Sequence, residues 1–212
     1  YNTGEGIKVN TASRVEISGN MIFSNGGHGI DLLSDISPPP AEGSQVTINL
    51  NNIYDNGGLG IHVESPAVNH GIVPPVITEA NRVMARGSTF PRCQVELFLA
   101  APDPSGYGEG LEHITAIYAD PEGQFYTSMR TLNTCDLITA TATDELGNTS
   151  EFALNHNVGP CFRMPPLVEW VWIIVAGGGG AALMGSLGRS RPPVRAWGVI
   201  GGVLGIGLAV GS

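Results

Sequence analysis

Residues 20–32 read NMIFSNGGHGIDL and residues 51–63 read NNIYDNGGLGIHV, so the two stretches share one pattern. Residues 1–9, which read YNTGEGIKV, fit the second half of it. The common form is Asn-x-Gly-x-Gly-Ile-x-(Val/Leu), and its isoleucines are Ile7, Ile30 and Ile61. The second spacing is longer than the first because residues 37–43 (SPPPAEG) form an insertion, and the underlying period is about 23 residues.

Short alternating runs separated by Asn and Gly at this period are typical of a solenoid whose turns each supply several short strands. Successive strand side chains point to opposite faces, so the aliphatic residues point inward and the x positions outward. We therefore expect Ile7, Ile30 and Ile61 to stack inside the coils. We also expect asparagine ladders between coils, with Asn20 over Asn51. A second ladder would join Asn2, Asn25 and Asn56, and positive φ angles at the corners would fall on the glycines at 4, 6, 26, 29, 57 and 60.

The two long stretches resemble the right-handed parallel β-helix repeat of pectate-lyase-like proteins, whose coils commonly read Asn-x-Ile-x-x-Asn-x-x-x-Gly-Ile-x-Val. The resemblance implies a β-helix over residues 1–73 and says little about chemistry. With little more than two coils present, it also implies the C-terminal end of a longer solenoid.

Residues 74–158 change to longer alternating runs, which predict seven strands of a β-sandwich. The runs are residues 76–80, 82–87, 94–100, 113–119, 124–129, 137–143 and 151–155. The stretches VELF (95–98), PSGYGEG (104–110), TATATD (139–144) and GNTSEF (147–152) resemble the Ig-like module that follows β-helix repeats in many bacterial surface proteins. That resemblance implies a spacer or adhesion module.

The C-terminal residues predict a membrane anchor. Residues 159–169 are a linker, and residues 170–188 contain no charged residue over a length that spans a bilayer as a helix. Residues 189–195 form a basic loop, and residues 196–212 form a possible second transmembrane helix. The flanking residues match an aromatic belt and a cytoplasmic loop, namely Trp170, Trp172, Arg189, Arg191 and Arg195. This orientation places residues 1–165 outside the cell. The alternative is a buried apolar hairpin.

The net charge of −9 and the single lysine, Lys8, argue against a nucleic-acid partner, because phosphate backbones are bound by clustered Lys and Arg. The fold class predicted is all-β, with one or two C-terminal membrane helices.

The three cysteines predict a disulfide between Cys93 and Cys135 across the sandwich, in an oxidising exterior. Cys161 would then be unpaired near the membrane, available for an intermolecular link or lipid modification. Three reduced, buried thiols are the alternative.

The outward positions of the Gly-Ile-x-Val strands are Lys8, Asp31 and His62, which stacking places in one column. We predict that this column binds a ligand. The same ammonium, carboxylate and imidazole are candidates for acid–base catalysis, because related polysaccharide lyases and hydrolases use the equivalent face as a substrate groove. The alternative is an ordinary solvated ladder, which the residue types favour.

Asp103, Glu109 and Glu112 lie in or beside a glycine-rich loop and are candidate calcium ligands, although ordinary turn chemistry explains the same residues. Scattered histidines argue against zinc. Asn148-Thr149-Ser150 matches a glycosylation acceptor.

These patterns together favour a membrane-anchored cell-surface protein for display or adhesion, whose partners are the membrane and a polysaccharide or another surface. The competing hypothesis is a polysaccharide lyase or glycoside hydrolase whose active coils lie upstream. A purely structural stalk is the third.

Overall fold

The computed structural model describes residues 2–10, 14–33, 45–66 and 68–160. These residues form strands and one short 3-10 turn, Val68–Gly71, so the predicted all-β class is confirmed for them. None of their helical segments is long and apolar enough to cross a membrane. Both predicted transmembrane segments, and Cys161, lie outside the described residues.

The first seven strands form stacked coils in which every pairing between coils is parallel. One coil consists of β1 (Ile7–Asn10), β2 (Val15–Ser18) and β3 (Met21–Phe23). The next consists of β4 (Ile30–Leu33), β5 (Val46–Asn49) and β6 (Asn52–Tyr54), followed by β7 (Ile61–Val63). The three resulting sheets are β1-β4-β7, β2-β5 and β3-β6.

The predicted stacking of the isoleucines is confirmed. Ile7 pairs with Ile30, and Ile30 pairs with Ile61, along one sheet of the coils. Ile30 and Ile61 are buried in one apolar cluster with residues of the other two sheets, such as Ile17 and Ile53. Burial of these side chains is the main term that holds short strands of this kind together.

The predicted asparagine ladders are also confirmed. The Asn20 amide donates to Asn51 Oδ1 at 3.0 Å. In the second ladder the Asn2 amide donates to Asn25 Oδ1 at 3.0 Å, and the Asn25 amide donates to Asn56 Oδ1 at 2.8 Å. The ladders satisfy polar groups at the coil corners that would otherwise compete for water.

The predicted positive φ angles at the six repeat glycines are wrong. Positive φ occurs instead at other residues of the coils, such as Ser24 and Asp55, which occupy equivalent corners of successive coils. The repeat needs glycine for space: a Cβ on Gly29 would lie 2.6 Å from the Gly60 carbonyl oxygen and 2.6 Å from Ile53 Cγ2. The next coil therefore excludes a side chain at Gly29.

The rest of the described chain forms two antiparallel sheets. One has the order β11 (Glu109–Tyr118), β10 (Gln94–Ala101), β13 (Leu137–Thr143) and β14 (His156–Asn157). The other has the order β12 (Gln124–Ser128), β9 (Met84–Ser88) and β8 (Val76–Asn81). A shared apolar cluster joins the sheets into a sandwich, with Leu97 and Ile138 from one sheet and Ala85 and Phe125 from the other.

The seventh predicted strand is misplaced, because the pairing assigned to residues 151–155 occurs at His156–Asn157. The side chains of Glu151 and Phe152 turn toward the coils. The Glu151 carboxylate accepts a hydrogen bond from the Val63 N–H at 2.8 Å, and Phe152 is buried in the apolar cluster of the coils.

The sandwich covers the end of the last coil with hydrogen-bond acceptors. The Leu50 N–H donates to Glu96, the Asn56 N–H donates to Glu109, and the Ile48 N–H donates to the Thr149 hydroxyl. Asn69, which is fully buried, exchanges hydrogen bonds with Val46 and donates to the Thr149 carbonyl. Backbone donors that a further coil would use are therefore satisfied by sandwich side chains.

Candidate functional site

The column of residues predicted on the outer face of the coils is formed, because the strand register places its members side by side. Lys8 on β1 pairs with Asp31 on β4, and Asp31 pairs with His62 on β7. Lys8 is exposed, and the described residues contain no ion pair between its ammonium and Asp31.

The expectation that Asp31 is solvated is wrong. Asp31 is only 5% exposed, and its Oδ1 lies 2.7 Å from Nδ1 of His62 on the next coil. A buried carboxylate needs a polar partner, and the imidazole of His62 supplies one. The register of the parallel sheet creates this contact, since it places the two residues side by side.

His28 completes a cluster that the sequence analysis did not identify. It lies in the turn between β3 and β4, and its ring stacks on that of His62 with a centroid distance of 4.2 Å and an interplanar angle of 10°. The Leu59 N–H donates to His28 Nδ1 at 2.8 Å. The sequence signal was weak, because His28 occupies a variable position between two glycines of the repeat.

The internal hydrogen bonds of this cluster indicate which tautomer of each ring satisfies its neighbours. The Nδ1 atom of His28 accepts from a backbone N–H, so the proton of that neutral ring is on Nε2. The carboxylate of Asp31 only accepts, so the Nδ1 atom of His62 carries a proton. A buried carboxylate that orients an imidazole is also the second half of many acid–base centres.

The donor atoms of His28, Asp31 and His62 lie within 4.8 Å of one another, and among the described residues they are the one such group of potential metal ligands. Their geometry fits a metal ion poorly. Imidazole lone pairs lie in the ring plane, so two nearly parallel rings cannot both direct a lone pair at one ion. The Nδ1 atoms of both rings are also already hydrogen-bonded.

The three calcium candidates do not converge. Asp103 accepts from the Ser105 N–H at 2.7 Å within its own turn. Glu109 is buried against Asn56, and Glu112 pairs with Arg130 at 2.8 Å on the surface. Each carboxylate therefore has a separate partner.

Two glutamates in the contact between the coils and the sandwich have altered acidity. Burial raises the pKa of Glu96 above its ordinary value, although a hydrogen bond from Leu50 opposes the shift. Burial likewise raises the pKa of Glu109, against hydrogen bonds from Asn56. Burial lowers the pKa of His113, whose Nε2 lies 3.4 Å from Glu96 Oε1. Glu96 and Glu109 accept hydrogen bonds from Leu50 and Asn56 of the last coil, so they help to hold the two parts of the molecule together.

The predicted bond between Cys93 and Cys135 is not formed in the structure. Cys93 is a free thiol that is only 1% exposed, immediately before β10. Burial raises the pKa of this thiol. The Asn148 acceptor motif is buried as well: Asn148 is fully buried and its amide donates to Asp144 Oδ2 at 2.8 Å, so the folded chain does not expose it for glycosylation.

Residues 1–90 match the family described as the right handed beta helix region. The match covers all seven strands of the coils and continues into β8 and β9 of the sandwich. It supports the β-helix repeat recognised from the sequence. No curated protein matches the chain.

Proposed function

We propose that this chain belongs to a cell-surface protein that binds polysaccharide along the outer face of its β-helix. The observation that carries the proposal is the cluster of His28, Asp31 and His62. A buried carboxylate there holds one imidazole in place while the second imidazole stacks on it, so the polar groups are ordered before any ligand arrives. Preorganised polar groups on a rigid sheet lower the entropic cost of binding.

The shape of the coils suits an extended ligand. Stacked repeats present a continuous face along the solenoid, on which a polymer contacts several coils at once. Phe23 and Tyr54 add an aromatic pair on the neighbouring sheet, with ring centroids 5.2 Å apart and Phe23 48% exposed. Exposed aromatic rings combine a large apolar area with few rotatable bonds, which suits recognition.

The sandwich, in this proposal, is an Ig-like spacer that also closes the β-helix. The acceptors that Glu96, Glu109 and Thr149 offer to the last coil support the closing role. Residues 170–188, alone or with a second segment at 196–212, would anchor the protein in the membrane with residues 1–165 outside the cell. The charge-free segments and the following arginines support the anchor.

Binding is tested with the full chain in detergent micelles, immobilised and exposed to a panel of neutral and acidic polysaccharides. We expect specific retention that soluble oligosaccharides of the same type compete away. Retention of none of them would contradict polysaccharide binding. The orientation is tested separately by protease treatment of intact expressing cells, which should release residues 1–165; complete protection of that region would contradict the anchor.

A hydrolase or lyase is the second candidate, because Asp31 and His62 have the arrangement of a general base oriented by a carboxylate. Incubation of the same polysaccharides with the full chain, followed by measurement of new chain ends, separates the two functions. Cleavage that disappears in the His62→Asn variant would favour the enzyme.

A further inference from the structure

We infer that His28 and His62 present one hydrogen-bond donor and one acceptor to the same ligand, and that this pair recognises two neighbouring hydroxyls of a sugar ring. The inference rests on the proposed function, because it names the chemical group that the polysaccharide must offer.

The donor is Nε2–H of His28. Its Nδ1 receives the Leu59 N–H at 2.8 Å, and a backbone N–H has no other role than donor. The neutral tautomer with its proton on Nε2 is therefore the one that satisfies this contact.

The acceptor is Nε2 of His62 in its neutral form. Its Nδ1 lies 2.7 Å from Oδ1 of Asp31, whose side chain is only 7% exposed. A buried carboxylate accepts hydrogen bonds and, when ionised, has none to give. The Nδ1–H of His62 is consequently directed at Asp31, and the lone pair is left on Nε2.

The two rings act together because they are stacked. Their centroids are 4.2 Å apart, the side chain of His62 is 30% exposed and His28 is half-buried, so both rings are partly accessible at one place on the surface. Opposite polarities on adjacent rings exclude some ligands. A carboxylate ligand offers only acceptors, which repel the lone pair on Nε2 of His62. A metal ion is disfavoured because the lone pairs of the two rings do not converge on one point.

A vicinal diol fits this arrangement. Each hydroxyl both donates and accepts, so one oxygen accepts from His28 while its neighbour donates to His62. The sugar ring holds the hydroxyls of neighbouring carbons close together, and the stacking of His28 on His62 holds one donor and one acceptor on adjacent rings.

Nitrogen-15 NMR of the full chain with labelled histidine tests the tautomers directly, using long-range proton–nitrogen couplings near neutral pH. We expect His28 with its proton on Nε2 and His62 with its proton on Nδ1. The same tautomer in both rings would overturn the inference, and it would do so whether or not the protein binds polysaccharide.

Binding is tested with the variants His28→Asn and His62→Asn. Asparagine can keep the short-range contact of each ring, as acceptor for Leu59 or donor to Asp31, while it removes the outward nitrogen. We expect each variant to lose about fivefold to tenfold in affinity for an oligosaccharide of the retained polymer, the loss typical of one hydrogen bond. The matched control is His156→Asn on β14, which should bind like the wild type.

The probes are that oligosaccharide and its O-methylated counterpart, and we expect the methylated form to bind neither the wild type nor the variants at this site. Unchanged affinity in both asparagine variants would overturn the inference while leaving polysaccharide binding intact. Failure of the wild type to retain any saccharide would refute both. Tight binding of zinc that both variants abolish would replace the diol with a metal ion.

Discussion

Glu109 accepts from Asn56 the same two hydrogen bonds that Asn56 accepts from Asn25. The Asn25 backbone N–H and side-chain amide both donate to Asn56 Oδ1, at 3.2 and 2.8 Å. The Asn56 backbone N–H and side-chain amide both donate to Glu109 Oε1, at 3.1 and 2.9 Å. A carboxylate from the sandwich thus continues the asparagine ladder of the coils. The ladder can end there because an ionised carboxylate has no donor that a further coil would have to satisfy.

Removal of this acceptor should destabilise the last coil. In Glu109→Ala the backbone N–H and side-chain amide of Asn56 lose this acceptor in a half-buried setting, and we expect the free energy of unfolding to fall by about 2–3 kcal/mol. Glu109→Gln keeps a carbonyl oxygen of similar reach and should stay within about 1 kcal/mol of the wild type. Urea denaturation followed by far-UV circular dichroism measures both. An alanine variant as stable as the glutamine variant would show that the ladder does not depend on Glu109.

The two buried glutamates should make the contact between coils and sandwich dependent on pH. Burial raises the folded-state pKa of Glu96 and Glu109 above the unfolded value of about 4.3, so the folded chain binds these protons more tightly. Their contribution to stability is therefore fully present below the unfolded pKa and is lost as the pH rises through the folded pKa.

The Glu96→Gln/Glu109→Gln double variant mimics the protonated state at every pH. We expect the stability of the wild type relative to this variant to fall as the pH rises from the unfolded pKa of about 4.3 through the raised pKa values of the folded state. The lowered pKa of His113 acts in the opposite sense near its own titration, but it is present in both proteins and largely cancels. Urea midpoints measured at each pH give the difference in stability between the two proteins. If the wild type became more stable relative to the variant as the pH rose, the prediction would be wrong.

The repeat glycines should be irreplaceable where the next coil crowds them. A Cβ at Gly29 would lie 2.6 Å from the Gly60 carbonyl oxygen, so Gly29→Ala requires the coils to separate, and we expect a loss of about 1–3 kcal/mol. Gly4→Ala is the matched control, because a Cβ there meets only Asn2 Oδ1 at 3.8 Å. The unfolding temperatures of the two variants are compared by thermal denaturation. If both substitutions lowered stability equally, crowding by the next coil would not explain the glycine at position 29.

The thiol of Cys93 should be reduced in the native protein and protected from chemical modification. It is 1% exposed and burial raises its pKa, so the reactive thiolate is scarce and inaccessible. We expect an alkylating reagent to modify Cys93 only after the chain unfolds, as peptide mass spectrometry will record. Rapid modification of the native protein, or a peptide that links Cys93 to Cys135 under non-reducing conditions, would contradict the structure.

The coils could be predicted from the sequence because the repeat motif is local and recurs. Ile7, Ile30 and Ile61 share one neighbourhood of Gly and Asn, and alternation alone decides which side chains point inward. The asparagine ladders follow from the same spacing.

The end of the β-helix was not predictable in this way. Glu96, Glu109 and Glu151 lie on separate segments of the sandwich, each more than 40 residues from its donor in the coils. Nothing in the sequence pairs them with the coils, and only the packing of the two parts shows that Glu96 and Glu109 are buried and that Glu151 is half-buried. His28 was overlooked for a similar reason, because its partner His62 comes from another coil.

The apolar contact between sandwich and coils should be as important as the glutamates. Phe152 is 3% exposed and packs edge-on against Phe98, with ring centroids 5.5 Å apart, and both rings belong to the apolar cluster of the coils. Phe152→Ala leaves a cavity at this contact, and we expect a loss of about 3–5 kcal/mol. Leu154→Ala is the matched control, since Leu154 is 60% exposed and should change stability by less than about 0.5 kcal/mol. Hydrogen exchange locates the effect: amides of β7 should exchange faster in Phe152→Ala than in the control. If exchange rises only within the sandwich, the coils do not depend on the sandwich for their stability.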